Sequence, residues 1–241
     1  MSKYFSDDVS MKITIAVTIA LTLIVSVFAS YISPILIVSV FAPSLAYLIF
    51  VWRKEKVERE PLIGLLMAFS YGFILCTFLA LVVESFIATI ISEVLLVVFI
   101  GPVIEEISKF MGVQSIAKLE RLFNEVDDGI VYGASIGLGF ATLETILYTF
   151  RGKEPLLIGV LRSISSTAGH SASSAIAGWG YALTMFGGHG PETASRFLFI
   201  AILLHVLHNL LAVFAIFQPV LLLAAIVLDL YTFYYITSRV E

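Results

Sequence analysis

Long runs of apolar residues are the feature that most constrains this chain. Eight such runs follow one another, and each is long enough to cross the hydrocarbon core of a bilayer, which takes about 20 apolar residues. Charged residues make up only 13% of the 241 residues, roughly half the share of a soluble protein, so a water-facing surface is excluded. The sequence therefore predicts an all-α, polytopic membrane helix bundle with about eight transmembrane helices. The runs are 12–30, 31–52, 62–84, 87–111, 128–150, 156–186, 193–216 and 218–238.

The domain organisation follows from the loops, which are short and free of low-complexity sequence. We expect residues 1–241 to form a single integral membrane domain. The first run resembles a signal peptide, with Val27-Phe28-Ala29 in the place of a cleavage site. Asp7 and Asp8 oppose the basic leader of such a peptide, and a second apolar run follows at once, so we interpret it as a retained span.

Basic residues accumulate in alternate loops. With eight spans, one side holds most of them and the other holds Arg151 and Lys153, while the side of Arg162 is left open. Because cytoplasmic loops are enriched in Lys and Arg, both termini are predicted to be cytoplasmic. The basic side carries Lys3, Lys12, Arg53, Lys54, Lys56, Arg59, Lys118, Arg121, Arg196 and Arg239.

Two classes of function are excluded by composition. The net charge of −4 provides no basic surface for nucleic acid, so no nucleic-acid partner is expected. Cys76 is the one cysteine, which rules out an intrachain disulfide and a cysteine-based zinc site.

Ionisable residues inside the apolar runs are the candidates for chemistry, because each costs about 2.5–3.5 kcal/mol to insert on biological scales. Glu105 and Glu106 are adjacent, and Lys109 lies within one turn of both. Such a pair can serve as an acid and a base of separated pKa, or can simply end a helix at the interface. In the next helix, Glu144 returns to within about 20° of the face of Gly137, so it points into the bundle. The alternative for Glu144 is a buried hydrogen bond to a neighbouring helix.

Three histidines lie in the last apolar runs. His170 shares a helical face with serines at positions 163, 166 and 174, whereas His205 and Asn209 lie one turn apart on a single face. Interhelical hydrogen bonding is the alternative for His170 and for the pair. His208 points to the side, where a supporting role is expected. The remaining ionisable groups have fewer polar residues at helical spacing; they are Glu84, Glu93 and Asp229. His189 is expected in a solvated loop.

Carboxylates and imidazoles are the ligands that Zn²⁺ takes where cysteine is absent. An activated water, an acid/base group and a donor for the oxyanion are also what peptide hydrolysis needs. Spacing alone does not assemble them, since the chain has no His-Glu-x-x-His and no Gly-x-Ser-x-Gly.

Four ordered motifs make this chain resemble the PrsW-type intramembrane proteases, which belong with the CAAX endopeptidases and bacteriocin-processing proteins. The likeness covers roughly residues 95–215. The motifs are Glu105-Glu106-x-x-Lys109; Asp128-Gly129-x-x-Tyr132-Gly133 with Gly139-Phe140-x-x-x-Glu144; the isolated His170; and His205-x-x-x-Asn209. The CAAX branch has Glu-Glu-x-x-x-Arg and Phe-x-x-x-His instead, which argues against prenylated substrates.

The resemblance implies a protease that cuts membrane-associated proteins in a prokaryotic cell membrane, and regulatory members of the family cleave anti-sigma factors. It leaves open whether zinc or a glutamate-activated water performs the chemistry, and we favour zinc. We predict Glu144, His170 and His205 as metal ligands, Glu105 as the base with Glu106 as its partner, and Asn209 as the oxyanion donor. The rival hypotheses are a proton- or cation-coupled transporter, which more often has repeats and broken helices that we do not find in the sequence, and an inactive scaffold.

Overall fold

A computed structural model describes residues 16, 20, 23, 33–56, 58–151 and 154–240, and within them the only regular secondary structure is helical. A π-helical turn, Gly72–Cys76, interrupts the second helix, and another, Leu96–Ile100, follows a short turn at Glu93–Leu95 and leads into the third. The predicted all-α class is confirmed. The helices are α1 Pro34–Lys54, α2 Leu62–Ile87, α3 Gly101–Ile116, α4 Val126–Arg151, α5 Pro155–Ile164, α6 Ser166–Met185, α7 Glu192–Phe214 and α8 Val220–Thr237.

Within the described residues, five helices are long and apolar enough to cross a membrane, namely α1, α2, α4, α7 and α8. Their outer faces carry exposed apolar side chains such as Phe86 of α2, which is 72% exposed. Exposed apolar surface on this scale is what contact with lipid requires, and the chain is an integral membrane protein. The predicted count of eight spans is not confirmed. The first predicted span, 12–30, lies mostly outside the described residues.

Two of the predicted spans are not single helices in the structure, although the sequence shows no sign of these breaks. The run 156–186 is divided at Ser165 between α5 and α6, and the Ser165 hydroxyl donates to Asp229 Oδ2 of α8 at 2.6 Å. The run 87–111 contains a turn, the π-helical segment and the start of α3. Apolar composition predicts that a segment enters the membrane, but it does not reveal where tertiary contacts interrupt the helix.

The small-residue face of α4 packs directly on the backbone of α6. A Cβ atom on Gly129, Gly133 or Gly137 would lie 2.3–2.5 Å from a carbonyl oxygen of α6. The partners of successive glycines step backwards along α6, so the two helices are antiparallel; these partners are Gly178, Ser174 and His170. The glycine face predicted from spacing is confirmed, and it places His170 level with Gly137.

On another side, α4 packs against α2 with equally close backbone contact. A Cβ on Gly139 would lie 1.9 Å from the Phe69 carbonyl oxygen, and one on Gly72 would lie 2.0 Å from that of Ile136. Helix α4 is consequently the central helix, and 83% of its apolar segment is buried.

One end of the bundle gathers the loops that the sequence marks as basic. Lys54 lies over the ring of Tyr234, 5.5 Å from its centroid, which joins the ends of α1 and α8. Phe123 contacts Phe186 with ring centroids 6.0 Å apart, which joins the start of α4 to the end of α6. We call this end, with its described basic residues Arg53, Lys54, Lys56, Arg59, Lys118, Arg121, Arg196 and Arg239, the basic end.

Buried carboxyl groups also lie at the basic end. Glu60 accepts a hydrogen bond from the Tyr132 hydroxyl, and its backbone N–H donates to Glu55 Oε2 at 2.5 Å. Burial, aided by the charge of neighbouring carboxylates, raises the pKa of Glu55 and of Glu60 to about 7, although hydrogen bonds from Glu60 N–H and Tyr132 partly offset this. The α1–α2 connection is thereby tied to the first turns of α4.

We expect Gly137→Ala to lower the free energy of unfolding by about 1–3 kcal/mol, because the added methyl group must push α6 away from α4. The measurement is thermal unfolding of the purified protein in detergent. Gly190→Ala is the control, since its Cβ would meet only the flexible end of Glu192. Equal melting temperatures for Gly137→Ala and the wild type would contradict the close packing.

Candidate active site

Three helices bring two glutamates and two histidines together in the bundle interior. Glu105 and Glu106 come from α3, His170 from α6 and His205 from α7. The two imidazole rings lie edge to face with their centroids 4.6 Å apart. All four residues are buried. The structure thus assembles four of the six residues predicted for the site into one polar cluster, which we call the Glu/His cluster.

Glu106 is the anchor of this cluster. Its Oε1 accepts from the Lys109 ammonium at 2.5 Å and from His205 Nδ1 at 2.8 Å, and both Glu106 and Lys109 are completely buried. A carboxylate that receives the Nδ1–H of an imidazole fixes the ring tautomer, so the Nε2 lone pair of His205 is left free. The Lys109 ammonium supplies the positive charge that a buried carboxylate requires.

Glu105 differs from Glu106 because no lysine or arginine among the described residues forms an ion pair with it. Its Oε2, like Oε2 of Glu106, is buried without a hydrogen-bond partner. This oxygen lies 3.8 Å from His205 Nε2 and 3.9 Å from His170 Nδ1. One ligand atom from each of these three residues lies within 4.8 Å of the others. Two ligand atoms of a tetrahedral zinc lie roughly 3.4 Å apart, since each bond is about 2.0–2.1 Å long. Glu105 Oε2 would have to move about half an ångström closer to each imidazole nitrogen for Glu105, His170 and His205 to hold a metal.

Glu144 approaches the cluster from behind His170. Its Oε2 accepts from His170 Nε2 at 2.9 Å and from the Arg162 guanidinium at 2.7 Å. The oxygen that was predicted to bind metal is therefore occupied by Arg162 and by the far nitrogen of the histidine. This geometry orients His170 with Nδ1 towards Glu105, where Nδ1 also accepts from the Lys109 ammonium at 3.0 Å.

Asn209 lies one turn beyond His205, as its spacing predicts, and its side-chain amide donates to the carbonyl oxygen of Val97 at 2.8 Å. Val97 belongs to the π-helical turn before α3, so Asn209 holds that turn against α7. An amide nitrogen carries two N–H groups, and this bond uses one of them. His189 is exposed in its loop, as the sequence predicts.

His208 contacts a second polar group behind the cluster. Its Nδ1 lies 2.8 Å from Asp229 Oδ2, the same oxygen that receives the Ser165 hydroxyl. A cavity of about 10 Å³, the size of a single water, lies between this group and the two site histidines. This contact agrees with the supporting position expected for His208. The polar partners of Asp229, Ser165 and His208, lie outside α8, so the spacing of residues along α8 does not reveal them.

Arg162 and Glu84 are the site neighbours that sequence reasoning missed. Arg162 lies inside the apolar run 156–186, and an arginine in such a run is a signal for a buried partner. A Cβ on Gly101 would lie 3.6 Å from Glu84 Oε1 and 3.8 Å from Glu105 Oε1, so the two carboxylates face the same point. Glu84 has no comparable pattern, since it lies near the end of an apolar run without polar company at helical spacing.

Comparison with known proteins gives a consistent result. The profile of the family described as "PrsW family intramembrane metalloprotease" matches residues 60–236. "Protease PrsW" of Geobacillus kaustophilus is 34% identical over 60% of this chain and 64% of its own length. The protein of the same name from Clostridioides difficile is 29% identical over 68% of this chain and 72% of its own, and that from Bacillus subtilis 33% over 53% and 60%. The match thus spans slightly less than two thirds of the first of these relatives. No solved structure matches the chain.

We expect Lys109→Met to destabilise the fold by about 3–5 kcal/mol, because it strands the buried charge of Glu106. Adding Glu106→Gln to Lys109→Met should restore part of this loss, since the stranded charge is then removed. Chemical or thermal unfolding in detergent measures both, with Lys118→Met, a change of an exposed lysine, as control. Additive losses in the double variant would show that the two side chains are not coupled.

Proposed function

Because the chain belongs to the PrsW family of intramembrane metalloproteases, we propose that it hydrolyses peptide bonds of membrane-associated proteins. The observation that carries the proposal is the buried group of Glu105, His170 and His205, which sits between helices rather than on a surface. Its position supports cleavage at membrane depth, where a substrate must enter between helices. The proposed substrates are proteins or peptides anchored in the same bilayer, and anti-sigma-like factors are the first class to test.

Zinc is the proposed cofactor, held by Glu105, His170 and His205. The unpartnered Glu105 Oε2 between two imidazole nitrogens supports this choice, because it is a buried acceptor that lacks a donor. Zinc held by two histidines and a glutamate would supply a bound water of pKa near 7 and a Lewis acid for the scissile carbonyl.

The other polar side chains orient the proposed ligands. Glu106 holds the Nδ1–H of His205, and Glu144 holds the Nε2–H of His170, so both rings direct their remaining nitrogens towards Glu105. Lys109 and Arg162 neutralise these two orienting carboxylates. This proposal changes the roles predicted from sequence. Glu105, predicted as the base, becomes a ligand, and Glu144, predicted as a ligand, becomes the group that orients His170.

Two further groups complete the proposed chemistry. Asn209 retains one N–H beyond its bond to Val97, which suits it to donate to the oxyanion. Glu84 faces Glu105 and forms no ion pair among the described residues, which makes it the available carboxylate for a proton from the water.

The second candidate is a metal-independent glutamate protease of the same wider group. It is favoured by the contact between the Lys109 ammonium and His170 Nδ1, because this cation approaches the nitrogen that a metal would take. Here Glu105 itself is the base that activates water, the role first predicted for it, and the histidines stabilise the oxyanion. Glu105 is required in both chemistries, but substituting it removes a bound metal ion from the protein in only the first.

For topology, we propose that the basic end faces the cytoplasm with both termini. The described basic residues of the alternate loops support this orientation, since cytoplasmic loops are enriched in Lys and Arg.

We expect Glu105→Gln to lower the cleavage rate by about 10²–10⁴, because either a base or a ligand is lost. His205→Ala should be as severe, whereas His189→Ala in the exposed loop should retain full activity. The assay is cleavage of a single-span membrane substrate in liposomes. Wild-type rates for both Glu105→Gln and His205→Ala would refute hydrolysis at this site, and ion-coupled solute uptake without cleavage would favour the transporter.

Metal content distinguishes the two chemistries. We expect about one zinc per chain in the purified wild-type protein, and loss of this zinc in His170→Ala and Glu105→Gln because each removes a ligand. Elemental analysis beside the matched control His189→Ala measures it, and a chelator should inhibit cleavage reversibly. A fully active protein that is free of metal and insensitive to chelators would establish the metal-independent reaction instead.

Reporter fusions test the orientation. A reporter at residue 241 should report the cytoplasm, and one inserted in the loop 151–155 should report the opposite side, because the two positions are separated by an odd number of predicted crossings. The same side for both fusions would contradict the proposed topology.

A further inference from the structure

A second cluster of acidic side chains lies at the basic end, away from the Glu/His cluster. Glu55 follows the last residue of α1, Glu125 directly precedes α4, and Asp128 lies in the first turn of α4. One ligand oxygen from each lies within 4.8 Å of the others. Asp128 is nine residues before Gly137, so the acidic cluster lies about 14 Å along α4 from the level of His170.

Two oxygens in this acidic cluster are buried without a partner. Asp128 Oδ2 accepts from the backbone N–H groups of Asn124 and Glu125 at 2.6 and 2.8 Å, and Glu55 Oε2 accepts from Glu60 N–H. The other oxygen of each carboxylate, Asp128 Oδ1 and Glu55 Oε1, has no hydrogen-bond donor. Both residues are at least 99% buried, so bulk water does not supply the missing donors.

The charge of the acidic cluster is also unbalanced. No lysine or arginine of the described residues forms an ion pair with Glu55, Glu60, Glu125 or Asp128. Arg59 is the nearest basic neighbour along the chain, but its Nε donates to the Glu55 carbonyl oxygen and its guanidinium stacks on Trp52. Buried carboxylates are normally paired or coordinate a metal, and no basic side chain among the described residues pairs with these.

The surroundings hold the acidic cluster in place. The Tyr132 hydroxyl donates to Glu60, and the Trp52 indole N–H donates to the Glu60 carbonyl oxygen at 2.9 Å. These contacts fix the α1–α2 connection against α4. Asp128 and Tyr132 belong to the sequence motif whose other members pack against neighbouring helices or contact His170. Neither Asp128 nor Tyr132 contacts the Glu/His cluster.

We propose that Glu55, Glu125 and Asp128, with Glu60 beside them, bind a hard divalent cation, Ca²⁺ or Mg²⁺, that locks the α1–α2 connection onto the start of α4. A set of carboxylate oxygens without nitrogen or sulfur suits these ions rather than zinc. Ca²⁺–O bonds of about 2.3–2.6 Å place opposite ligands up to roughly 5 Å apart, which accommodates the observed spread. The site is independent of the proposed proteolysis.

The test uses the full chain, purified in detergent, stripped with a chelator and then given only Ca²⁺ or only Mg²⁺. Binding to the folded state raises the melting temperature, by about 5–10 °C at a concentration one hundred times Kd. Glu55→Gln and Glu125→Gln should abolish the shift, whereas Glu120→Gln, which alters an exposed acid nearby, should keep it. The stronger of the two responses identifies the ion.

Terbium luminescence provides a direct second readout, because Tb³⁺ replaces Ca²⁺ at oxygen sites and is excited by a neighbouring indole. Trp52 should sensitise Tb³⁺ luminescence in the wild type and in Glu120→Gln. Adding the native cation should displace Tb³⁺ and remove the luminescence. Glu125→Gln serves where Glu55→Gln does not fold, since Glu125 is only partly buried. No thermal shift and no luminescence in the wild type would overturn the proposal, as would signals that persist unchanged in both cluster variants. His205→Ala should keep both signals, and their loss there would assign the cation to the Glu/His cluster instead.

Discussion

The direct contact between the backbones of α4 and α6 is the constraint on which the rest of the structure depends. In lipid the hydrophobic effect does not drive helices together, so association relies on close packing and polar contacts. The glycines of α4 allow carbonyl oxygens of α6 to approach where a side chain would otherwise stand. This distance brings His170 within hydrogen-bond reach of Glu144, which lies two turns beyond Gly137 on the same face.

The polar side chains of the bundle interior share one arrangement, because a buried charge in an apolar environment needs a partner. Each of two carboxylates is shared between a cation and an imidazole, which satisfies the buried charge and fixes the ring tautomer. Glu105 lies between the two imidazoles and has no donor for Oε2. This oxygen, between the two imidazole nitrogens, is the position where the chemistry is proposed to occur. The two sets are Lys109–Glu106–His205 and Arg162–Glu144–His170.

The acidic cluster at the basic end also contains buried carboxylates, but no basic side chain of the described residues pairs with them. There the buried carboxylates of Glu55 and Asp128 receive backbone N–H groups on one oxygen each, and no lysine or arginine of the described residues forms an ion pair with them. The Glu/His cluster supplies its cations from α3 and α5, whereas the α1–α2 connection directs Arg59 outward onto Trp52. The proposed divalent cation would supply positive charge at this position.

The sequence alone determined the membrane class, the all-helical fold, the small-residue face of α4 and the residue types of the site, because hydropathy and helical period are local properties. It also indicated Glu105, Glu106, His170 and His205 as candidates, since charged or imidazole groups in apolar runs are energetically costly. Only the tertiary structure decided the interruption at Ser165, the pairing of Arg162 with Glu144 and the approach of Glu105 to both imidazoles. These depend on contacts between helices far apart in the chain, and a helical period does not encode which neighbour each face will meet.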